Sequence, residues 1–228
     1  MLRGSAYTGF GFGGRGARPA IVDITKGDDA GTNATSHVVA LPSSITSGQL
    51  LIVLFGQRED ADATFPAGWT EFFDAGTAGQ AGIAGAYRVA DGAEGASITV
   101  TTTANRPDAW AVIRIAAGTF KSGTAPEAGT VATGSSTTPN PPSLTPSWSQ
   151  GETLWIAACA LKDAATARTV SSWPTGYADN QTSQSSNNTH ELFFATKFAE
   201  AASDDPGTFT VSATGQWAAQ TIAIRPNV

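Results

Sequence analysis

Two stretches of the chain are apolar at every position, Leu50 to Phe55 and Leu154 to Leu161. Continuous apolar runs this short predict strands buried on both faces. Ile98-Thr-Val-Thr101 and Phe209-Thr-Val-Ser212 instead alternate with period two, which predicts strands with one wet face. Turn residues punctuate the runs at Pro66-Ala-Gly68, Asp91-Gly92, Asn105-Arg-Pro107, Pro174-Thr-Gly176 and Asp205-Pro-Gly207. Leu161 to Arg168 and Ala199 to Ser203 offer at most a helical turn each, and no amphipathic helix is visible. The predicted class is all-β, a sandwich or barrel of about ten to twelve strands.

The pattern occurs twice. Phe65-Pro-Ala-Gly-Trp-Thr-Glu71 returns as Trp173-Pro-Thr-Gly-Tyr-Ala-Asp179 at an offset of 108. Ser47-Gly-Gln-Leu-Leu-Ile-Val53 precedes the first copy as Gln150-Gly-Glu-Thr-Leu-Trp-Ile156 precedes the second. Ala86 to Ala90, Ser97 to Thr101 and Val112 to Ile115 are answered in order by Ala195 to Ala199, Thr208 to Ser212 and Ala223 to Pro226. Five segments in one order indicate a duplication. The expected architecture is therefore one jelly-roll-like β-sandwich over 21–228, built from pseudo-repeats at about 21–118 and 127–228, with two small domains, one per repeat, as the alternative. The Gly-, Ser-, Thr- and Pro-rich stretch between the repeats is expected to hold one edge strand near Gly129 to Thr133. Pro66, Gly68 and Trp69, with Pro174, Gly176 and Tyr177, form the repeated corner and are assigned a structural role.

Composition sharpens this picture. Leu, Ile, Val and Phe number only 42 of 228 residues, while Ala alone supplies 40 and Gly 25. Charged residues are 14% and the net charge is −6, too little charge for a disordered chain. A core this light in large side chains predicts support from neighbouring subunits, hence a homo-oligomer. The acidic balance leaves no basic footprint for nucleic acid or anionic membrane. No apolar run is long enough to span a bilayer, and Met1 to Ser5 lead into Gly-rich sequence with no signal-peptide core, so cytoplasmic assembly is expected.

Residues 1–20 lie outside the repeat. They interleave glycine with Tyr7, Phe10 and Phe12 and carry Arg15. Solvated linkers avoid such aromatics, so these four residues are expected to anchor an extended arm to another subunit. A flexible tail is the rival reading. Gly11 to Gly16 fits G-x-G-x-x-G, yet no strand precedes it and Pro19 follows, so a dinucleotide site is not expected.

Little else points to chemistry. His37, His190 and Cys159 are too few and too dispersed for a metal motif, and neither a metal nor a cofactor is expected. His37 reads as a surface or edge residue and His190 as part of an exposed tip. Cys159 reads as core. Arg58 to Asp62 reads as a solvated turn or a loose Ca²⁺ site, and Glu71 with Asp74 is a further carboxylate pair. Trp148 and Trp173 lie in Pro- and Ser-rich loops and are candidate glycan contacts, although the repeat also gives Trp173 a corner role.

Ser47-Gly-Gln-Leu-Leu-Ile-Val53, Pro66-Ala-Gly-Trp-Thr70, Ala86-Tyr-Arg-Val-Ala-Asp-Gly92 and Ser97-Ile-Thr-Val-Thr101 together resemble the "PAGWT" β-sandwich proteins among virion components of tailed bacteriophages. The resemblance covers about residues 35–115 and reaches the second half through the repeat. It implies a non-enzymatic structural protein, a capsid decoration or a tail or fibre component. Its partners would be other virion proteins, with host surface glycans as further contacts. A carbohydrate-binding module is the alternative reading, followed by a sandwich-type glycanase.

Overall fold

The computed structural model describes residues 16–29, 33–59, 62–76, 79–162 and 167–227. Tyr7, Phe10, Phe12 and Arg15 lie outside the described residues. The first half holds β1 (Ile21–Gly27), β2 (Ala34–Ala40), β3 (Leu50–Arg58), β4 (Ala63–Thr64), β5 (Thr70–Gly76), β6 (Ala81–Val89), β7 (Ser97–Arg106) and β8 (Asp108–Ile115). The second holds β9 (Glu127–Ala128), β10 (Ala132–Ser136), β11 (Glu152–Lys162), β12 (Val170–Ser172), β13 (Ala178–Gln184), β14 (His190–Glu200), β15 (Thr210–Val211) and β16 (Gly215–Ile224). The protein is all-β, in several antiparallel sheets, and no helix occurs among the described residues.

The continuous apolar runs become the middle strands. β3 sits third in a five-stranded sheet ordered β1-β8-β3-β6-β5, and β11 third in β10-β16-β11-β14-β13, with β9 also pairing β16. Alternate residues of each run serve different cores, which is why every position is apolar. Leu50, Ile52 and Leu54 join Leu154, Ile156, Ala158 and Ala160 in one cluster, so the two large sheets pack face to face. On the other side of β3, Val53 and Phe55 meet Val39, Ile98 and Val100 from the three-stranded sheet β2-β7-β4. On the other side of β11, Trp155, Ala157 and Cys159 meet Phe209, Val211 and Trp148. The layers therefore run small sheet, large sheet, large sheet, then β12-β15 with its neighbouring loops.

Period-two strands lie where a wet face was expected. β7 alternates exposed and buried residues along Ser97 to Thr103. The expected edge strand appears as β10, which overlaps Gly129 to Thr133 at its last two residues and runs on to Ser136, at the margin of the six-stranded sheet. Three of the four strands at the margins of the large sheets carry register shifts, between Ile21 and Asp23, Glu71 and Phe73, and Ala178 and Gln181. Ala199 and Glu200 end β14, so the expected helical turn there does not form.

The interface between the large sheets makes a thermodynamic prediction. Ile52→Ala and Ile156→Ala remove fully buried methyl groups, one on each face, and should each cost about 2–5 kcal/mol. Because both lie in one cluster, urea unfolding followed by tryptophan fluorescence should show a single transition that either variant lowers. Two transitions, with only one displaced by each variant, would mean that the halves unfold separately.

Candidate functional site

The most unusual polar cluster lies where the small sheet of the first half meets the end of its large sheet. β1 delivers Asp29 two residues past its end, β2 delivers His37, β7 delivers Thr102, and Asp108 opens β8. His37 shares the inward face of β2 with Val39, and its ring meets Phe55 edge-on at 5.3 Å. It is 1% exposed, so the expected surface role does not hold. The alternation Ser36-His37-Val38-Val39 leaves Val38 outside instead, 55% exposed.

Both ring nitrogens of His37 have polar partners. The Thr102 hydroxyl reaches the Ala104 carbonyl at 2.8 Å and lies 3.1 Å from His37 Nε2. Nδ1 faces two carboxylates, Asp29 Oδ2 at 3.0 Å and Asp108 Oδ1 at 3.7 Å. Asp29 is held in turn by the Val38 N–H at 3.1 Å, and its own N–H donates to Asp108 Oδ1 at 3.1 Å. Burial opposes charge on His37, but Asp108 and Asp29 outweigh it and raise its pKa. Burial, then the neighbouring Asp108, pushes the Asp29 carboxyl up, against the pull of Val38 and His37. Asp108 is 1% exposed, and its Oδ2 has no hydrogen-bond partner among the described residues. One ligand atom from each of Asp29, His37 and Asp108 lies within 4.8 Å of the others. The sequence reading missed this cluster because its members belong to three separate segments and form no local motif.

A second candidate is a cleft of about 330 Å³ on the second half, lined by Trp173, Arg168, Thr182, Gln184 and Glu191 among others. Trp173 is half-buried and stands edge-on to Phe209 at 5.7 Å and Phe193 at 6.4 Å. The backbone N–H of Arg168 donates to Glu191 Oε1 at 2.9 Å, and its Nη2 donates to the Thr214 carbonyl at 2.8 Å. Burial pushes the Glu191 carboxyl up to about 7, against the Arg168 N–H and guanidinium. Glu191 is the one carboxylate among the described residues lining the cleft, so the paired acids of a glycanase are not present there.

Other expected site residues find structural roles. Trp148 is buried and donates from Nε1 to Thr153 Oγ1 at 3.1 Å, so its indole faces the core rather than a sugar. His190 is fully buried at the start of β14, not at an exposed tip, and burial together with the Arg58 charge lowers its pKa to about 3. The turn after β3 holds a cation-paired acid: Glu59 meets Arg106 at 2.9 Å and Lys162 of β11 at 3.1 Å, and the bond from Lys162 lowers its pKa. Asp60 lies outside the described residues. Asp74 Oδ2 accepts from the Ala63 N–H at 2.7 Å, while burial and the Asp62 charge raise the Glu71 pKa. Cys159 is buried in the core, where burial raises its thiol pKa well above the usual range.

The corner motif is a matched pair of turns. Trp69 N–H donates to the Pro66 carbonyl at 3.2 Å and Tyr177 N–H to the Pro174 carbonyl at 3.1 Å. Gly68 and Gly176 occupy the third position with φ of 88° and 80°, where a side chain would be strained. A cation on the next long strand but one lies beside each corner, Arg88 against Gly68 and Lys197 against Gly176. Arg88 pairs with Asp91 at 2.6 Å and Glu94 at 3.2 Å, while Lys197 pairs with Asp204. No protein-family model, curated protein or solved structure matches the chain.

The raised Glu191 pKa has a defined sign. Its folded value lies above the ordinary 4.5, so the folded state holds the proton more tightly, and stability falls as pH rises from about 4.5 through about 7. Glu191→Gln keeps an acceptor for the Arg168 N–H and removes the titration. The melting temperature of the variant minus that of the native protein should therefore grow between about pH 5 and about pH 8. An unchanging difference would mean that Glu191 ionises as freely in the folded chain as in the unfolded one.

Proposed function

We propose that the chain is a non-enzymatic structural protein of a tailed-phage particle, displayed on the capsid or tail and anchored by residues 1–20. Its partners are other virion proteins and further copies of itself. The observation that carries this reading is the use made of the resembling residues: Pro66, Gly68, Trp69 and Arg88 build a corner, and their counterparts Pro174, Gly176, Tyr177 and Lys197 build the same corner again. Residues spent on geometry in both halves support a scaffold, not a catalyst.

The finer architecture belongs to the same proposal. The order β1-β8-β3-β6 with β2-β7-β4 behind it is that of a jelly roll, with β5 continuing the large sheet. The second half follows suit, with β10-β16-β11-β14-β13 in front and the β12-β15 pair behind. Phe209 and Val211 donate to Pro139 and Thr137 as β7 pairs Ile98 with Val39 and Val100 with His37. Gly27 closes on Trp110 as Gly134 closes on Trp217, each too tightly for a β-carbon. Each pseudo-repeat thus reads as its own small jelly roll, joined to the other through the large sheets.

Adhesion to glycans is the secondary reading, favoured by the Trp173 cleft. Half-exposed indole beside hydroxyl, amide and guanidinium groups suits a sugar ring, whose faces are apolar and whose edges hydrogen-bond.

Quantitative mass spectrometry of purified particles from the phage or induced prophage encoding the chain should find it at fixed stoichiometry with the major capsid protein. Particles free of it would overturn the virion reading. On glycan arrays, Trp173→Ala should lose at least about tenfold in any binding the native protein shows, equivalent to about 1.4 kcal/mol. Binding by native protein and variant alike would remove the cleft from the proposal.

A further inference from the structure

We propose that Asp29, His37 and Asp108 bind one divalent transition-metal ion, zinc by donor type, which ties the small outer sheet of the first half to its large sheet. The donors come from three segments: the end of β1, the middle of β2 and the start of β8. They combine one imidazole nitrogen with two carboxylates, a set that suits Zn²⁺ better than the all-oxygen shell preferred by Ca²⁺ or Mg²⁺.

Three observations carry the assignment. First, the Thr102 hydroxyl reaches the Ala104 carbonyl at 2.8 Å and lies 3.1 Å from His37 Nε2, where it can accept that nitrogen's proton. In that tautomer Nδ1 turns its lone pair toward the carboxylates, as a ligating histidine oriented by an outer-shell acceptor does. Second, Asp108 is 1% exposed and, among the described residues, its Oδ2 meets no donor, so this buried carboxylate beside His37 is short of partners, which costs free energy unless a cation compensates it. Third, the spacing fits. Donors around a tetrahedral zinc with bonds of about 2.0–2.1 Å stand about 3.4 Å apart. Nδ1 lies 3.0 Å from Asp29 Oδ2 and 3.7 Å from Asp108 Oδ1, values on either side of that distance. Three protein ligands leave a fourth position for water. The Asp29 side chain, 16% exposed, marks the side of the cluster nearest solvent.

The site belongs to the first half alone. Thr137 occupies the place of His37 against β15, because Val211 bonds Thr137 as Val100 pairs His37. Gly215 opens β16 where Asp108 opens β8. Neither replacement offers a side-chain nitrogen or carboxylate, so one ion per chain is the expected stoichiometry.

The full-length protein, stripped with EDTA and dialysed, should be titrated with Zn²⁺, Mn²⁺ and Ca²⁺. Bound metal is read by inductively coupled plasma mass spectrometry and stabilisation by melting temperature. The expected result is one Zn²⁺ per chain with a raised melting temperature, and a weaker response to Ca²⁺. Asp108→Asn, close in shape, should weaken zinc binding at least about tenfold, as should Asp29→Asn, whose position is nearer solvent and easier on folding. Co²⁺ substituted at the site should give visible d–d bands that His37→Gln abolishes. Failure of the native protein to retain zinc would overturn the proposal, leaving a proton-bridged cluster. Zinc retained equally by Asp29→Asn and Asp108→Asn would overturn it too, since the ion would then lie elsewhere. Stronger stabilisation by Ca²⁺ than by Zn²⁺ would overturn the metal assignment.

Discussion

The burial of β3 and β11 on both faces is the constraint from which the rest of the structure follows. A strand sandwiched in this way has no wet face along its middle, so its two faces must each be given a core. One face of each is spent against the other half, where leucine and isoleucine from β3 and β11 interleave with alanines of β8, β11 and β16. The other face is spent against a small sheet or loop layer belonging to the same half. A chain poor in large apolar residues thus concentrates them in three thin cores, and alanine brings the layers close.

Several polar residues that enter this stack stand at or near the ends of strands. Asp108 opens β8, His190 opens β14, and Gln57 and Glu59 close β3 or follow it. Glu59 also reaches across to Lys162, so the two halves are pinned by charge at one end as well as by oil in the middle. A partly exposed ion pair of this kind adds little net stability. His37 belongs to the same class: an inward position that an aliphatic side chain would fill more cheaply has instead a ring held at both nitrogens.

Much of the fold was legible because its signals are local. Apolar runs marked β3 and β11, alternation marked β7, and the Pro-x-Gly corners recurred at the right place in both halves. Exposure was read less well. Trp148 follows a proline-rich loop in sequence, yet the loop folds over the back of β11 and carries the indole inward. His190 follows ten polar residues, but the strand that begins with it is already committed to the central core, and the parity of Leu192 and Phe194 was the available signal. The Asp29, His37 and Asp108 cluster had no signal of that kind. Its members meet only because β2 lies over the large sheet, a long-range relation that no spacing along the chain encodes.

The shifted registers at the sheet margins bear on behaviour at high concentration. An open strand edge is a template on which another chain can continue the hydrogen-bond ladder. In β1, β5 and β13 the bulges throw amides and carbonyls out of step, and β13 adds a run of Asp, Asn, Gln, Thr and Ser that resists dry stacking. Strand addition is thereby hindered at three of the four margins of the large sheets, and only β10 keeps an unbroken register.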